Sequence, residues 1–85
     1  MGIDYSKIRA NLTARKMIKA LDREGFEVDE QTSGSHQQYR HPDGRRVTVA
    51  YHALSDTFRP KTLKRMIEDD ARWSEADLRR LKLLK

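Results

Sequence analysis

The sequence predicts an α+β fold in which helices cover one face of a three-stranded antiparallel sheet. Apolar residues recur at helical spacing towards both ends of the chain, whereas the middle alternates apolar and polar residues around a proline–glycine turn. The expected order of elements is α-β-β-β-α, followed by one further helix. Because no internal repeat divides the 85 residues, we expect a single domain.

Within this domain we distinguish a leader over residues 1–12, a core over 13–67 and an additional helix over 74–85. The first long helix begins after Thr13, whose hydroxyl can cap it, and ends at Gly25, which can adopt the left-handed conformation that stops a helix. Four residues at turn spacing form its apolar stripe: Ala14, Met17, Ile18 and Leu21. In the leader, Ile3, Ile8 and Leu12 are consistent with a short turn of helix.

Three strands are expected in the middle of the chain. Phe26 and Val28 alternate with polar neighbours, which predicts a short, half-buried strand. The run 41–44 predicts a hairpin turn, because Pro42 presets its own φ and Gly44 can adopt the positive φ of a three-residue loop. This turn sets a register of five cross-strand pairs: Arg40–Arg46, Tyr39–Val47, Gln38–Thr48, Gln37–Val49 and His36–Ala50.

The register divides the hairpin into two faces, because successive strand residues point to opposite sides. Tyr39, Val47, Val49 and Tyr51 share the face that we expect to pack on the helices. The other face, which we call the outer face, carries His36, Gln38, Arg40, Arg46, Thr48 and Ala50. A slip by one residue would bury Arg40 and Arg46, so the register is well determined.

Two helices are expected after the sheet. Pro60 suits the first turn of a helix whose buried stripe is Leu63, Met66 and Ile67. Ser74 and Asp77 predict a capping box for the additional helix, with Trp73 stapled onto Leu78. The apolar side of that helix continues with Leu81 and with Leu83 or Leu84.

The net charge of +5 is concentrated in one segment. Residues 32–66 contain seven basic and two acidic residues, whereas eleven bases and eleven acids balance over the rest of the chain. Such concentration favours a polyanionic partner such as nucleic acid over a basic surface that serves solubility alone.

Several classes of protein are excluded or disfavoured. The absence of cysteine excludes disulfides and thiolate metal sites. No apolar run approaches the roughly 18 to 20 residues that a membrane span needs, and the N-terminus lacks the pattern of a signal peptide. We therefore expect a soluble, cytoplasmic protein without a cofactor. His36, His41 and His52 fall on differing faces without a carboxylate at ligand spacing, so no metal site is expected.

Four segments in this order resemble the HicA toxins: residues 13–21, 33–39, 41–49 and 60–63. The resemblance covers about Thr13 to Ile67. It implies a fold like a double-stranded-RNA-binding domain, cleavage of mRNA, and inhibition by a HicB antitoxin, with a possible homo-oligomer in the complex. By motif, the catalytic histidine of the family falls on His36, in the run Ser33-Gly34-Ser35-His36.

A single histidine is compatible with this chemistry, because RNA supplies its own nucleophile in the 2′-hydroxyl and needs no metal. Gly34 leaves room for an approaching backbone, and Ser33 or Ser35 can donate a hydroxyl or serve only to form the turn. Arg40 and Arg46 can offset phosphate charge. Lys61, Lys64 and Arg65 can hold more distant phosphates.

Other interpretations stay open. His52 is a candidate for a second proton carrier, and His41 is expected to be a hairpin-end residue. The same basic face also suits a non-catalytic RNA-binding module, which needs no histidine. A third hypothesis is an interaction protein whose basic face binds an acidic partner.

Overall fold

The structure is a computed structural model that describes residues 3–29 and 36–83. Helices α1 (Tyr5–Arg9) and α2 (Ala14–Arg23) precede strands β1 (Glu27–Val28), β2 (His36–Arg40) and β3 (Arg46–Ala50). Helix α3 (Pro60–Lys64) continues into a π-helical turn (Arg65–Asp70), and α4 (Glu75–Arg80) follows. The antiparallel sheet has the order β1-β2-β3. The predicted α+β fold, like that of a double-stranded-RNA-binding domain, is confirmed.

The ends of α2 are formed as the sequence predicts. The hydroxyl of Thr13 accepts a hydrogen bond from the backbone amide of Lys16 at 3.4 Å. Gly25 follows the helix with a φ of +89°, a conformation that side chains disfavour. A Cβ atom there would also lie 3.4 Å from Nε2 of His41, so Gly25 leaves room for this imidazole.

The β2–β3 hairpin has the predicted register in all five pairs. The turn is closed by hydrogen bonds from the backbone amide of His41 to the carbonyl of Arg45 and from the amide of Gly44 to the carbonyl of His41, each 2.9 Å long. Gly44 has a φ of +99°, as this loop requires. The position of every outer-face residue follows from this register.

The helices cover the inner face of the sheet. Tyr39, Val47 and Val49 are buried there, and Tyr51 is half-buried. They belong to one hydrophobic cluster that also contains residues from the leader and the C-terminal helix: Tyr5, Ile8, Leu12, Trp73, Leu78, Leu81 and Leu83. The capping box of α4 is confirmed, with the amide of Asp77 3.2 Å from Oγ of Ser74 and the amide of Ser74 2.9 Å from Oδ2 of Asp77.

The first strand differs from its prediction. Phe26 is buried but lies just before β1, and Val28 is 43% exposed. The physical reason is position, because β1 is a two-residue strand at the edge of the sheet with only β2 beside it. Leu84, one of two candidates for the apolar side of α4, lies outside the described residues, and Leu83 is buried.

No helix within residues 3–29 and 36–83 is long and apolar enough to cross a membrane.

Candidate nucleic-acid interface

The outer face of the β2–β3 hairpin consists of three cross-strand pairs. His36 lies opposite Ala50 at one end, Gln38 lies opposite Thr48 in the middle, and Arg40 lies opposite Arg46 beside the turn. The residues of both end pairs are exposed, whereas Gln38 and Thr48 are half-buried. The sheet therefore presents an imidazole and two guanidinium groups to solvent on one surface.

His36 is the first residue of β2 and is exposed. Its cross-strand partner Ala50 has only a methyl group, which leaves space beside the imidazole. Ser33, Gly34 and Ser35, which precede it in the chain, lie outside the described residues.

Arg40 and Arg46 line a concavity of about 400 Å³ at the turn end of the hairpin. Among the described residues, neither guanidinium has a hydrogen-bond or ion-pair partner. Because arginine carries five donors in a planar fork, two uncommitted guanidinium groups on neighbouring strands form a surface suited to phosphate oxygens.

Arg45 lines the same concavity but is committed to the fold. Its Nε donates to Oδ2 of Asp43 at 2.8 Å, and its Nη1 donates to the carbonyl of Ala71 at 2.6 Å. Its guanidinium also lies 5.0 Å from the ring centroid of Phe26, at a cation–π distance. The backbone hydrogen bond from Arg45, with its side-chain hydrogen bond, lowers the pKa of Asp43. Arg45 thus fastens the hairpin turn to the C-terminal part of the chain.

His41 is also structural, as expected for a hairpin-end residue. Its Nδ1 accepts a hydrogen bond from the amide of Asp43 at 3.1 Å, and its Nε2 lies 3.1 Å from the carbonyl of Glu24. The same Nδ1 also lies 2.9 Å from Oδ1 of Asp43. The imidazole also meets the ring of Phe26 edge-on, with centroids 5.0 Å apart.

His52 lies in the loop beyond β3 and is exposed. Its backbone amide donates to Oδ2 of Asp56 at 2.8 Å. A backbone hydrogen bond from Ala53, together with this bond from His52, lowers the pKa of the Asp56 carboxyl group. In the part of the chain that the structure describes, no group of three or more histidine, aspartate or glutamate side chains is arranged to hold a metal ion.

The remaining candidate RNA-binding residues belong to the other layer. Lys61, Lys64 and Arg65 are exposed, but they lie on α3 and the π-helical turn. Helix α3 packs against α1, and the π-helical turn packs against β3. The structure thus brings His36, Arg40 and Arg46 onto one face of the sheet. The other three candidates, Lys61, Lys64 and Arg65, do not lie on that face.

Two acidic residues border the outer face and were not singled out from the sequence. Glu27 pairs with Arg40 across β1 and β2 and lines the concavity with it. Asp29 follows β1, and its amide donates to the carbonyl of Gln38 at 2.7 Å. Their alternation with Phe26 and Val28 in the sequence indicates that both acids share one side of the strand, but only the β1–β2 register shows that Glu27 lies opposite Arg40.

One comparison with known proteins identifies the family of the chain. A protein-family model described as the HicA toxin of bacterial toxin–antitoxin systems matches residues 14–71, which is more than half of the chain. The match begins at the first residue of α2, includes all three strands with His36, and ends just after the π-helical turn. A search of curated proteins returned no match. The chain belongs to the HicA family of bacterial toxin–antitoxin toxins.

Proposed function

We propose that this toxin is a metal-independent endoribonuclease that cleaves mRNA, with His36 as its catalytic residue. The observation that carries the proposal is the outer face, where an exposed imidazole shares one surface with two arginines that have no partner among the described residues. The imidazole suits proton transfer on a phosphodiester, and the two arginines at the other end of this face suit binding of the same RNA strand.

The reaction needs few protein groups. The RNA 2′-oxygen attacks the adjacent phosphorus, and the bond from phosphorus to the 5′-oxygen breaks. One proton leaves the 2′-hydroxyl and one reaches the departing 5′-oxygen, which gives a 2′,3′-cyclic phosphate and a 5′-hydroxyl. His36 carries one of these two protons, because an imidazole exchanges protons near neutral pH, and water exchanges the other.

The surrounding residues contribute binding and charge. In this proposal Ser33, Gly34 and Ser35 border the scissile phosphate, since they directly precede His36 in the chain. Arg40 and Arg46 bind RNA phosphate on the outer face, as bidentate donors. In the helical layer, Lys61, Lys64 and Arg65 contact further phosphates of the RNA. These contacts raise the affinity for RNA without selecting its sequence.

Toxicity requires an inhibitor, and membership of the family implies an antitoxin partner. We assign this role to a HicB-like antitoxin that covers the His36 end of the outer face. Because this face carries exposed positive charge, the contacting surface of the antitoxin should be acidic.

The test is to incubate the purified protein with an mRNA transcript between pH 5 and 8 in the presence of EDTA, and to analyse the ends of the products. Cleavage that persists in EDTA and leaves 2′,3′-cyclic phosphates is expected. Loss of cleavage in EDTA would contradict the metal-independent mechanism. Tight RNA binding without cleavage at any pH would instead support the non-catalytic RNA-binding module.

A further inference from the structure

We propose that the concavity formed by Arg40 and Arg46 is a subsite for one RNA phosphate, about two nucleotides away from the bond that is cut at His36. This inference rests on the proposed ribonuclease function and adds a minimum length and a charge requirement for its substrate. The ligand is the phosphodiester group itself, so the subsite is independent of base identity.

The basic lining of the concavity suits an anionic phosphodiester, and its volume of about 400 Å³ leaves room for one. Arg40 and Arg46 are direct cross-strand partners, so the two side chains leave the sheet side by side on the same face. Two like charges in this position repel each other unless an anion lies between them. Arg45, the third arginine of the concavity, is held by Asp43 and Ala71 and helps to fix the wall.

The distance between the two sites follows from strand geometry. His36 and Arg40 are four residues apart on β2, which at a rise of roughly 3.3 Å per residue separates them by about 13 Å. This length corresponds to about two nucleotide steps of an extended single strand that tracks along a basic surface. The uncharged pair Gln38–Thr48 lies midway between the two sites.

Glu27 gives the subsite a built-in opposing charge. Its carboxylate is on the strand beside Arg40 and borders the same concavity. A bound phosphate therefore meets two positive groups and one negative group. Removal of this carboxylate should strengthen phosphate binding, whereas a purely structural role for the arginines predicts no such gain.

The experiment uses a synthetic RNA with one cleavage site and replaces a single phosphate at a time by an uncharged methylphosphonate. For the wild-type protein, the value of kcat/KM should fall about tenfold or more when the neutral linkage lies about two steps from the scissile bond, on one side only. Arg40→Gln and Arg46→Gln should cleave the unmodified RNA more slowly by a similar factor. In these variants the same neutral linkage should cause little further loss of kcat/KM, because the neutral linkage and the arginine substitution remove the same interaction.

Two further variants serve as controls. Arg23→Gln removes an exposed positive charge from α2 in the helical layer and should keep the full sensitivity to the neutral linkage. Glu27→Gln should raise kcat/KM for the unmodified RNA by about threefold at low salt.

The possible results distinguish a wrong subsite from a wrong ribonuclease function. Normal cleavage with no position-dependent effect, or fully additive effects of linkage and arginine substitution, would overturn the subsite and leave the ribonuclease intact. Absence of cleavage by the wild-type protein on any RNA would overturn both. If Arg40→Gln and Arg46→Gln weaken antitoxin binding but leave cleavage unchanged, the concavity holds a carboxylate of the partner protein, and the phosphate subsite is wrong.

Discussion

Arg40 and Arg46 lie directly opposite each other on the exposed face of the β2–β3 hairpin. Like charges in this relationship destabilise a sheet. Glu27 pairs with Arg40 from the other side, whereas Arg46 lies on the opposite edge strand, β3, and has no such acidic cross-strand partner within residues 3–29 and 36–83. In the proposed subsite, a phosphate bound between the two arginines offsets this repulsion.

We expect Arg46→Gln to raise the free energy of unfolding by about 0.2 to 1 kcal/mol at low salt, because it removes the repulsion from Arg40. Urea denaturation at two salt concentrations measures this gain, which should shrink at high salt as the charges are screened. Arg40→Gln is the control and should gain less, since it also loses the attraction of Glu27. A loss of stability in Arg46→Gln at low salt would contradict the prediction.

Gly44→Ala should destabilise the protein by about 1 to 2 kcal/mol, because the turn holds this residue at a φ of +99°. Apart from Gly44 and its two chain neighbours, no described residue has a heavy atom within 4 Å of the position that a Cβ would occupy, so the cost arises from the backbone conformation. Thermal or urea unfolding measures it. Gly44→Asn should lose less, since asparagine tolerates positive φ better than alanine does. Equal stability of the alanine variant and the wild type would show that the turn relaxes without cost.

The contact between α2 and α4 should make stability depend on acid pH. Arg80 donates two hydrogen bonds to Glu24, from Nη1 to Oε2 at 2.8 Å and from Nη2 to Oε1 at 2.5 Å. These bonds lower the pKa of Glu24 from its ordinary value of 4.5. Because the pKa in the folded state is lowered, the stabilisation is fully present above pH 4.5 and is lost as the pH falls through the lower folded-state value.

Glu24→Gln should therefore show a shallower fall in unfolding free energy between neutral pH and acid pH than the wild type. The fall should not vanish, because the pKa values of Asp43, Asp56 and Asp77 are also lowered in the folded protein. Unfolding in urea at a series of pH values tests the point. Superimposable pH profiles for variant and wild type would show that the pair contributes nothing to acid sensitivity.

Leu78→Ala should cost about 2 to 5 kcal/mol of unfolding free energy, because this side chain is fully buried in the common hydrophobic cluster. Leu78 lies on α4, beyond the residues that match the family model. The loss of unfolding free energy therefore shows whether α4 folds cooperatively with the rest of the domain. Arg79→Ala changes an exposed neighbour and should stay close to the wild type. A loss below about 0.5 kcal/mol in Leu78→Ala would mean that α4 docks only weakly.

The hairpin and the helix caps could be predicted because their causes are local. Pro42 and Gly44 restrict the backbone of one turn, and the turn fixes the strand register. Only the apolar face of the hairpin is stable when it is buried, so the other face must be exposed. The positions of His36, Arg40 and Arg46 on that exposed face therefore follow from the hairpin alone, without any knowledge of the helices.

The features that could not be predicted depend on contacts between distant parts of the chain. Arg45 belongs to the same basic run as Arg46, yet Phe26 and Ala71 hold it in the fold. The exposure of Val28 depends on the short length of β1 at the sheet edge.

The central claim concerns His36, and the most direct measurement is the single-turnover cleavage of an RNA oligomer at saturating protein. His36→Ala should lower the cleavage rate by about 100- to 10,000-fold, with the dissociation constant for RNA and the unfolding free energy nearly unchanged. His52→Ala removes another exposed histidine and should retain the wild-type rate. Cleavage by His36→Ala at a rate close to that of the wild type would contradict the account.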